Sequence, residues 1–293
     1  MTETDPLSAK RQPIDRDKLP FVAPCRIVSV AAPLGWLRKG LADLRRAPRE
    51  SLLYGLVMAG MLGVVALAAR TFGTHWSMVA MIGGFVFLAP LACVGLYAIS
   101  AQLEREQDVS LVRSLRAAFK RHLGYEMVFA IVLLVIFMVW ARSGMILIAF
   151  FPTVGEPSLD TLAPLLGVGT VVGGFFAIVT FTASAFSLPM IMHRDVDTVT
   201  AIVTSVNAVL RNKAAMLLWM SIIVAGLVIG LFTAFIGLIV IVPVLGYGAW
   251  HGYLDTIDSS AFPRHSVGIT SVPRPTRGSR NNNSEDPGHS AVS

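Results

Sequence analysis

The sequence predicts an all-α fold: a polytopic membrane bundle of six transmembrane helices with amphipathic interfacial helices between them. Of its 293 residues, 54% are hydrophobic and only 14% are charged, whereas soluble domains carry roughly 25% charged residues. Uncharged apolar runs long enough to cross a bilayer as a helix recur along the chain. We therefore divide the chain into a flexible arm (residues 1–32), a six-helix transmembrane domain (33–258) and a disordered tail (259–293).

The six spans are placed on the apolar runs that match the thickness of the hydrocarbon core. The fourth run is longer than a bilayer needs, so we expect a tilt or a break near Pro189. Residues 144–151 are too few for a further crossing, so they either extend the third span or lie in the interface. The predicted spans are 51–69, 76–100, 125–141, 161–192, 214–235 and 236–254, with a tight turn between the last two.

An amphipathic stretch precedes the first span. Four leucines of residues 33–50 share one helical face, and basic residues lie off that face. This pattern favours an interfacial helix whose cations reach lipid phosphates, although a stop-transfer flank that only sets topology explains the charges equally well. The four residues are Leu34, Leu37, Leu41 and Leu44.

A second amphipathic stretch follows the fourth span. Its aliphatic residues recur on one helical face, and threonine, serine and asparagine fill the other. We expect a helix on one side of the membrane between two spans, with Asp195 or Asp197 as its cap. The same two carboxylates could instead hold a cation at the membrane face. The aliphatic residues are Val196, Val199, Ile202, Val203, Val206, Val209 and Leu210.

The chain also contains a candidate parallel internal repeat. Residues 114–121 align without gaps to residues 205–212 at an offset of 91, and each segment lies between two spans. The second and last spans share a proline, a glycine and an aromatic residue at equal spacing. A chance match between helices of similar composition is the alternative explanation. The shared positions are Pro90, Gly95 and Tyr97 in one span and Pro243, Gly248 and Trp250 in the other.

The positive charges indicate the orientation. With six spans both termini share one side, which holds all of the 24 Lys and Arg residues except Arg70 and Arg142. The positive-inside rule therefore predicts a multi-pass protein of the inner (plasma) membrane with both termini in the cytoplasm. Basic residues form no stripe interleaved with aromatics, so nucleic acid is not an expected partner. The lipid bilayer is the expected partner, and other membrane proteins are candidates.

Ionisable residues are nearly missing from the predicted spans, which counts against an ion-coupled pump or carrier. The last two spans contain only His251, near the cytoplasmic end. Because His122 and His193 are also predicted near this face, the three histidines could form a metal cluster. A histidine bonded to headgroups or backbone is the simpler interpretation, so no cofactor and no enzymatic activity are predicted. The ranges without any such residue are 51–69, 76–100, 127–141 and 161–192.

Several short motifs follow one another along residues 35–258. They are DLRRAP (43–48), SLLYG (51–55), PLACVGLY (90–97), SLPMIMHRDVD (187–197), TAIVTS (200–205), PVLG (243–246) and Trp250-His251. In this combination the chain resembles the DUF2189 family of bacterial integral membrane proteins. Some members of that family carry a label borrowed from cytochrome c oxidase subunit I. The resemblance implies a membrane bundle and brings no established activity.

From the sequence we expect a non-enzymatic scaffold or accessory subunit of a membrane complex. One alternative is a permease-like protein for a lipid or neutral solute. Its cavity would be lined by hydroxyls late in the fourth span, those of Thr180, Thr182, Ser184 and Ser187. A second alternative is a metal- or redox-associated protein centred on His251. The positions of structural or functional interest are Pro90, Gly95, Tyr97, Pro189, Asp195, Asp197, Pro243, Trp250 and His251.

Overall fold

The computed structural model describes residues 20–72, 83–84, 87–105, 123–151 and 159–263. These ranges contain α-helices and no strand, so the predicted all-α class is confirmed. The first half of the proposed repeat and His122 lie outside the described residues. The helices are α1 (Ala32–Arg46), α2 (Pro48–Phe72), α3 (Val94–Glu104), α4 (Leu123–Phe150), α5 (Leu159–Ser184), α6 (Ser187–His193), α7 (Thr198–Arg211), α8 (Lys213–Phe232) and α9 (Leu238–Thr256).

Six segments of the described chain are long and apolar enough to cross a membrane, which confirms the six predicted spans. Residues 144–150 continue α4, so they extend the third span rather than lie in the interface. Large apolar side chains on the bundle surface, such as Val64 at 69% exposed and Val171 at 73%, are available to lipid. The six segments are Pro48–Ala68, Phe87–Glu104, Gly124–Phe150, Ala163–His193, Lys213–Phe232 and Leu238–Thr256.

The fourth span breaks, as predicted, but a few residues before Pro189. α5 ends at Ser184, and a turn at residues 185–186 leads into α6, whose first turn contains Pro189. A proline in the first turn costs no helical hydrogen bond, because the amides there have no intrahelical acceptor. After α6 the chain is irregular until Asp197, whose carboxylate accepts a 2.9 Å hydrogen bond from Thr200 N. Asp197 is therefore the predicted cap of α7.

α1 packs against α9, and most of its leucine face is docked with it, since Leu44 is buried and Leu37 and Leu41 pack against the same hydrophobic cluster. The two helices approach closely because Gly40 lies where a Cβ atom would be 2.4 Å from Val244 O. Trp36 Nε1 donates a 3.0 Å hydrogen bond to Asp255, near the end of α9, so the helices are antiparallel. Leu34, from the predicted apolar face, is 55% exposed. The buried residues of α1 are Pro33, Trp36, Gly40, Asp43 and Leu44.

α7 docks through its small and hydroxyl-bearing face, and the predicted aliphatic face is exposed only in part, because Val209 and, just before α7, Val196 are buried. Ser205 Oγ donates to Thr182 O at 2.9 Å, and Thr198 Oγ1 donates to Tyr125 O at 2.9 Å. On the opposite face, Val199 and Leu210 are each 56% exposed. Since small and hydroxyl residues let helices approach and hydrogen-bond in lipid, this arrangement suits a helix at a membrane boundary.

Residues 20–31, the described part of the chain before α1, pack against the bundle, which differs from the flexible arm predicted for residues 1–32. Ala23 is fully buried, and Ala23 N donates to Thr204 Oγ1 on α7. Cys25 pairs with Ile257 in an isolated antiparallel bridge. Residues 20–31 and 257–263 therefore lie together at one end of the bundle, which we call the terminal face. Phe262, within the predicted tail, is also buried there.

Candidate functional site: an intramembrane cavity beside a polar layer

A partly enclosed cavity of about 260 Å³ lies inside the bundle, between the first, second, fourth, fifth and sixth spans. It forms because α5 and α8 pack against different neighbours: α5 against α4 and α7, and α8 against α9 and α1. Val224, near the middle of α8, lines the cavity and is 51% exposed. The partly enclosed cavity therefore reaches mid-span on α8, at the depth where lipid chains would lie.

Two of the four hydroxyls predicted to line a cavity do so. Thr180 and Ser184 are lining residues, while Ser187 donates instead to the carbonyl oxygens of Ala183 (2.5 Å) and Ala201 (3.2 Å). Thr182 is not part of the lining, and its carbonyl oxygen accepts the hydrogen bond from Ser205. The fourth span therefore contributes one polar strip to an otherwise almost wholly apolar wall.

The shared motif of the second span also contributes to this wall. Pro90 and Tyr97 line the cavity, and Tyr97 is buried. Gly95 lies outside the lining, and an added Cβ there would be 2.6 Å from the ring of Tyr54. Tyr54 donates its hydroxyl hydrogen to Ala92 O, and this hydrogen bond joins the first span to the second beside Gly95. The motif thus shapes both the cavity and its supporting helix contact.

An aromatic cluster closes the cavity toward the terminal face. Trp219 lines the cavity and packs edge-on against Trp36, with ring centroids 5.7 Å apart. Trp36 in turn packs edge-on against Phe186 at 6.3 Å. All three side chains are buried and belong to the hydrophobic cluster that includes Ala23 and Cys25. Access to the cavity from the terminal face is therefore blocked by tightly packed rings.

Beside this cluster lies a buried polar layer that contains His251. Its Nε2 is 2.8 Å from Asp43 Oδ2, and Ser100 Oγ donates to the same oxygen at 2.6 Å. The histidine thus binds a carboxylate, not the headgroup or backbone that the sequence favoured. Asp43, Ser100 and His251 thus join α1, α3 and α9. The serine hydroxyl bonds the carboxylate and not the imidazole, so it lacks the contact with a base that activates a nucleophile. Tyr247 and Ser51 form a further hydroxyl pair at 2.6 Å.

The other predicted histidine has different partners. His193 Nδ1 is 3.0 Å from the hydroxyl of Tyr253, which donates to Ser259 Oγ at 2.9 Å. Arg194 Nε donates to the same serine at 3.1 Å. Over the ranges that the structure describes, no group of three or more His, Cys, Asp or Glu residues is placed to hold a metal ion. The geometry therefore does not bring His193 and His251 into one site.

The remaining predicted positions make contacts within the protein that support its fold or border the terminal face. Trp250 Nε1 donates to Glu104 at 3.3 Å, and Pro243 is buried inside α9. Asp195 and Asp197 border a second cavity of about 210 Å³ at the terminal face. Partial burial would raise the pKa of Asp197, but hydrogen bonds from Thr200 and Val199 outweigh it and hold that pKa below its ordinary value.

Sequence reasoning missed three residues of this region. Asp43 stands in a basic stretch, and the only signal was its helical spacing from Trp36 and Gly40, which share its buried face. Trp219 lies within an apolar span, where nothing in the sequence marked it as part of a site. Glu126, at the start of the third span, is buried, and its Oε1 has no hydrogen-bond partner among the described residues.

Six apolar spans around a partly enclosed cavity define a multi-pass integral membrane protein. The family model of DUF2189, described as a predicted integral membrane protein, matches residues 78–193, which confirms the resemblance seen in the motifs. The matched region runs through the second, third and fourth spans and includes Pro90 and Thr180. No curated protein and no solved structure matches the chain.

Proposed function

We propose that this protein binds an apolar, lipid-like molecule inside its bundle, in the manner of a permease-like or lipid-handling membrane protein. The observation that carries the proposal is the cavity of about 260 Å³. It exceeds the roughly 150 Å³ of a cavity that holds benzene, and it falls just below the roughly 300–1,000 Å³ of drug-sized sites. This volume suits a chain segment or a small ring compound and is too small for a whole phospholipid. The proposed role needs no bond-making step.

The position of the cavity supports access from the bilayer. It is partly enclosed, its lining includes Val224, which is 51% exposed in the middle of a span, and Trp219 of the aromatic cluster borders it toward the terminal face. A molecule dissolved in the hydrocarbon core therefore reaches the cavity without first entering water. Passage onward to the terminal face would require the ring cluster of Trp36, Phe186 and Trp219 to move.

A saturable photolabelling experiment tests the proposal. Purified protein in nanodiscs is irradiated with a photoactivatable hydrocarbon probe, and the labelled residues are mapped by mass spectrometry. We expect saturable labelling at Met220 and Leu245, which line the cavity. Ala177→Phe would fill the cavity and suppress it, whereas Val171→Phe, on the outer surface of the same helix, would leave it unchanged. Labelling that never saturates and falls only on outer residues would contradict the proposal.

The scaffold role predicted from the sequence remains a second candidate. It is favoured by the exposed part of the aliphatic face of α7, where Val199 and Leu210 are each 56% exposed. Such a face suits contact with a neighbouring membrane helix. Affinity purification from native membranes tests this role: a stoichiometric partner lost on Val199→Ser/Leu210→Ser substitution would support it, and purification of the protein alone would oppose it.

We propose further that the terminal face is cytoplasmic and the membrane is the inner membrane. The charge asymmetry supports this orientation, since Arg70 and Arg142 alone fall on the far side. Reporter fusions placed after Arg211 and after Arg70 should report opposite sides of the membrane, with the former in the cytoplasm. The reverse assignment would contradict the orientation without affecting the cavity.

A further inference from the structure

One polar group in the cavity wall has no partner, and it points to the class of ligand that the cavity takes. Thr180 is 2% exposed, and its Oγ1 makes no hydrogen bond within the described chain. Two other hydroxyls of the spans, those of Thr170 and Ser221, each donate to the carbonyl oxygen four residues earlier, at 2.7 and 2.9 Å. Thr256 Oγ1, at the end of α9 and outside the cavity lining, is the other buried hydroxyl without a partner among the described residues. A buried hydroxyl left unpaired is unfavourable, because it has lost its hydrogen bonds to water and gained none. The hydroxyl of Thr180 therefore differs from those of Thr170 and Ser221, and among the described lining residues it is the one buried side-chain oxygen without a partner.

The rest of the wall limits the charge of a ligand. Among the described residues that line the cavity, none is Asp, Glu, Lys, Arg or His. Asp43, in the polar layer, is bonded to His251, and Glu104, exposed at the end of α3, accepts a hydrogen bond from Trp250. An isolated ion moved into such a wall loses its hydration and gains no counter-ion, which is strongly unfavourable. A ligand of this cavity has to be uncharged.

From these observations we infer that the cavity binds a neutral amphiphile, with an apolar body and one uncharged polar group that hydrogen-bonds to Thr180 Oγ1. A hydroxyl of threonine both donates and accepts, so an alcohol, an ester or a ketone serves equally. Ser184, one turn further along α5 and also in the lining, lies on the same side of the cavity. The inference rests on the proposed function and specifies its ligand.

Three photoactivatable probes with the same carbon chain test this inference on the full-length protein in nanodiscs. They are an alkane, the corresponding alcohol and the corresponding sulfonate, which stays charged at every pH. The variants are Thr180→Val, which has the same shape and lacks the hydroxyl, and Thr180→Ser, which keeps it. Because each probe is compared between variants, its partition into the bilayer cancels. The measured quantity is the half-saturation concentration for labelling at Leu245.

We expect the alcohol to bind Thr180→Val about fivefold more weakly than wild type, the effect of one net hydrogen bond of about 1 kcal/mol. Thr180→Ser should bind it nearly as wild type does, and the alkane should bind all three proteins alike. The sulfonate should not give saturable labelling in the cavity. As a second readout, Thr180→Val should raise the melting temperature of the protein without probe, because an unpaired hydroxyl has been removed.

Two results would overturn the inference and leave the proposed function intact. One is equal affinity of wild type and Thr180→Val for the alcohol, and the other is saturable sulfonate labelling at Leu245. If Thr180→Val does not fold, equal binding of alcohol and alkane to wild type, after correction for their partition, is the result that overturns it. Absence of saturable labelling by every probe would instead refute the proposed function as well.

Discussion

Removal of the His251 imidazole should expose how the polar layer holds the bundle together. Asp43 is 5% exposed and receives hydrogen bonds from Ser100 and His251 on a single oxygen. His251→Ala leaves the carboxylate buried with only the serine as partner. Removing the partner of a buried carboxylate typically costs about 3–5 kcal/mol. Since Ser100 remains and His251 is partly accessible, we expect the lower end, about 3 kcal/mol of unfolding free energy.

The same substitution should cost much less when no carboxylate is left stranded. In an Asp43→Asn background, His251→Ala removes one hydrogen bond between neutral groups, a loss of about 1 kcal/mol. The two substitutions should therefore be coupled by about 2 kcal/mol. Reversible unfolding in mixed micelles, followed by tryptophan fluorescence, measures all four proteins of this cycle. Additive losses would refute the reasoning, because they would mean that Asp43 and His251 act independently.

Further substitutions test other contacts. Gly40→Val should destabilise the protein by about 1–3 kcal/mol by forcing α1 away from α9, whereas Gly35→Val, with open space around it, should not. Asp197→Ala should remove a helix cap worth about 1 kcal/mol. Because the pKa of Asp197 is lowered in the folded state, this difference should be present at neutral pH and vanish as the pH falls through that pKa. Burial raises the pKa of the Cys25 thiol, so maleimide should label it slowly. Asn212→Ala, which frees the backbone of Arg26 and Val28, should accelerate that labelling.

The spans could be predicted well because lipid imposes a simple length requirement. A helix that crosses the hydrocarbon core needs about 20 apolar residues, and the runs in this chain are separated by charged or turn-forming segments. The excess length of the fourth span predicted a break near Pro189. The first helix of this span in fact ends before Pro189, because a proline can lie in the first turn of a new helix as well as follow the end of an old one.

Aliphatic periodicity marked most of the docked face of α1, where Leu37, Leu41 and Leu44 pack against protein, but not that of α7. In water the aliphatic face of a helix turns toward the protein, whereas in a membrane lipid is just as apolar and small or hydroxyl residues make the contacts. This is why Ser205 faces protein while Val199 is exposed. A rule based on small and hydroxyl residues would have identified the docked face of α7. On α1 such a rule fails, because Gly35 has open space around it while Leu44 is buried.

The candidate site was partly predictable. The hydroxyls of the fourth span and the motif around Pro90 were singled out, and Thr180, Ser184, Pro90 and Tyr97 do line the cavity. The pairing of His251 with Asp43 was not predictable, because 208 positions separate the residues and nothing in either local sequence refers to the other. Burial without a partner, as at Thr180, is a property of packing and leaves no trace in the sequence.

Native mass spectrometry of the protein extracted from its own membrane in mild detergent tests the central claim most directly. The account predicts that wild type carries one neutral lipid-like molecule that survives delipidation, and that Ala177→Phe loses it while Val171→Phe keeps it. A wild-type protein that carries no such molecule, or one retained equally by Ala177→Phe, would contradict the account.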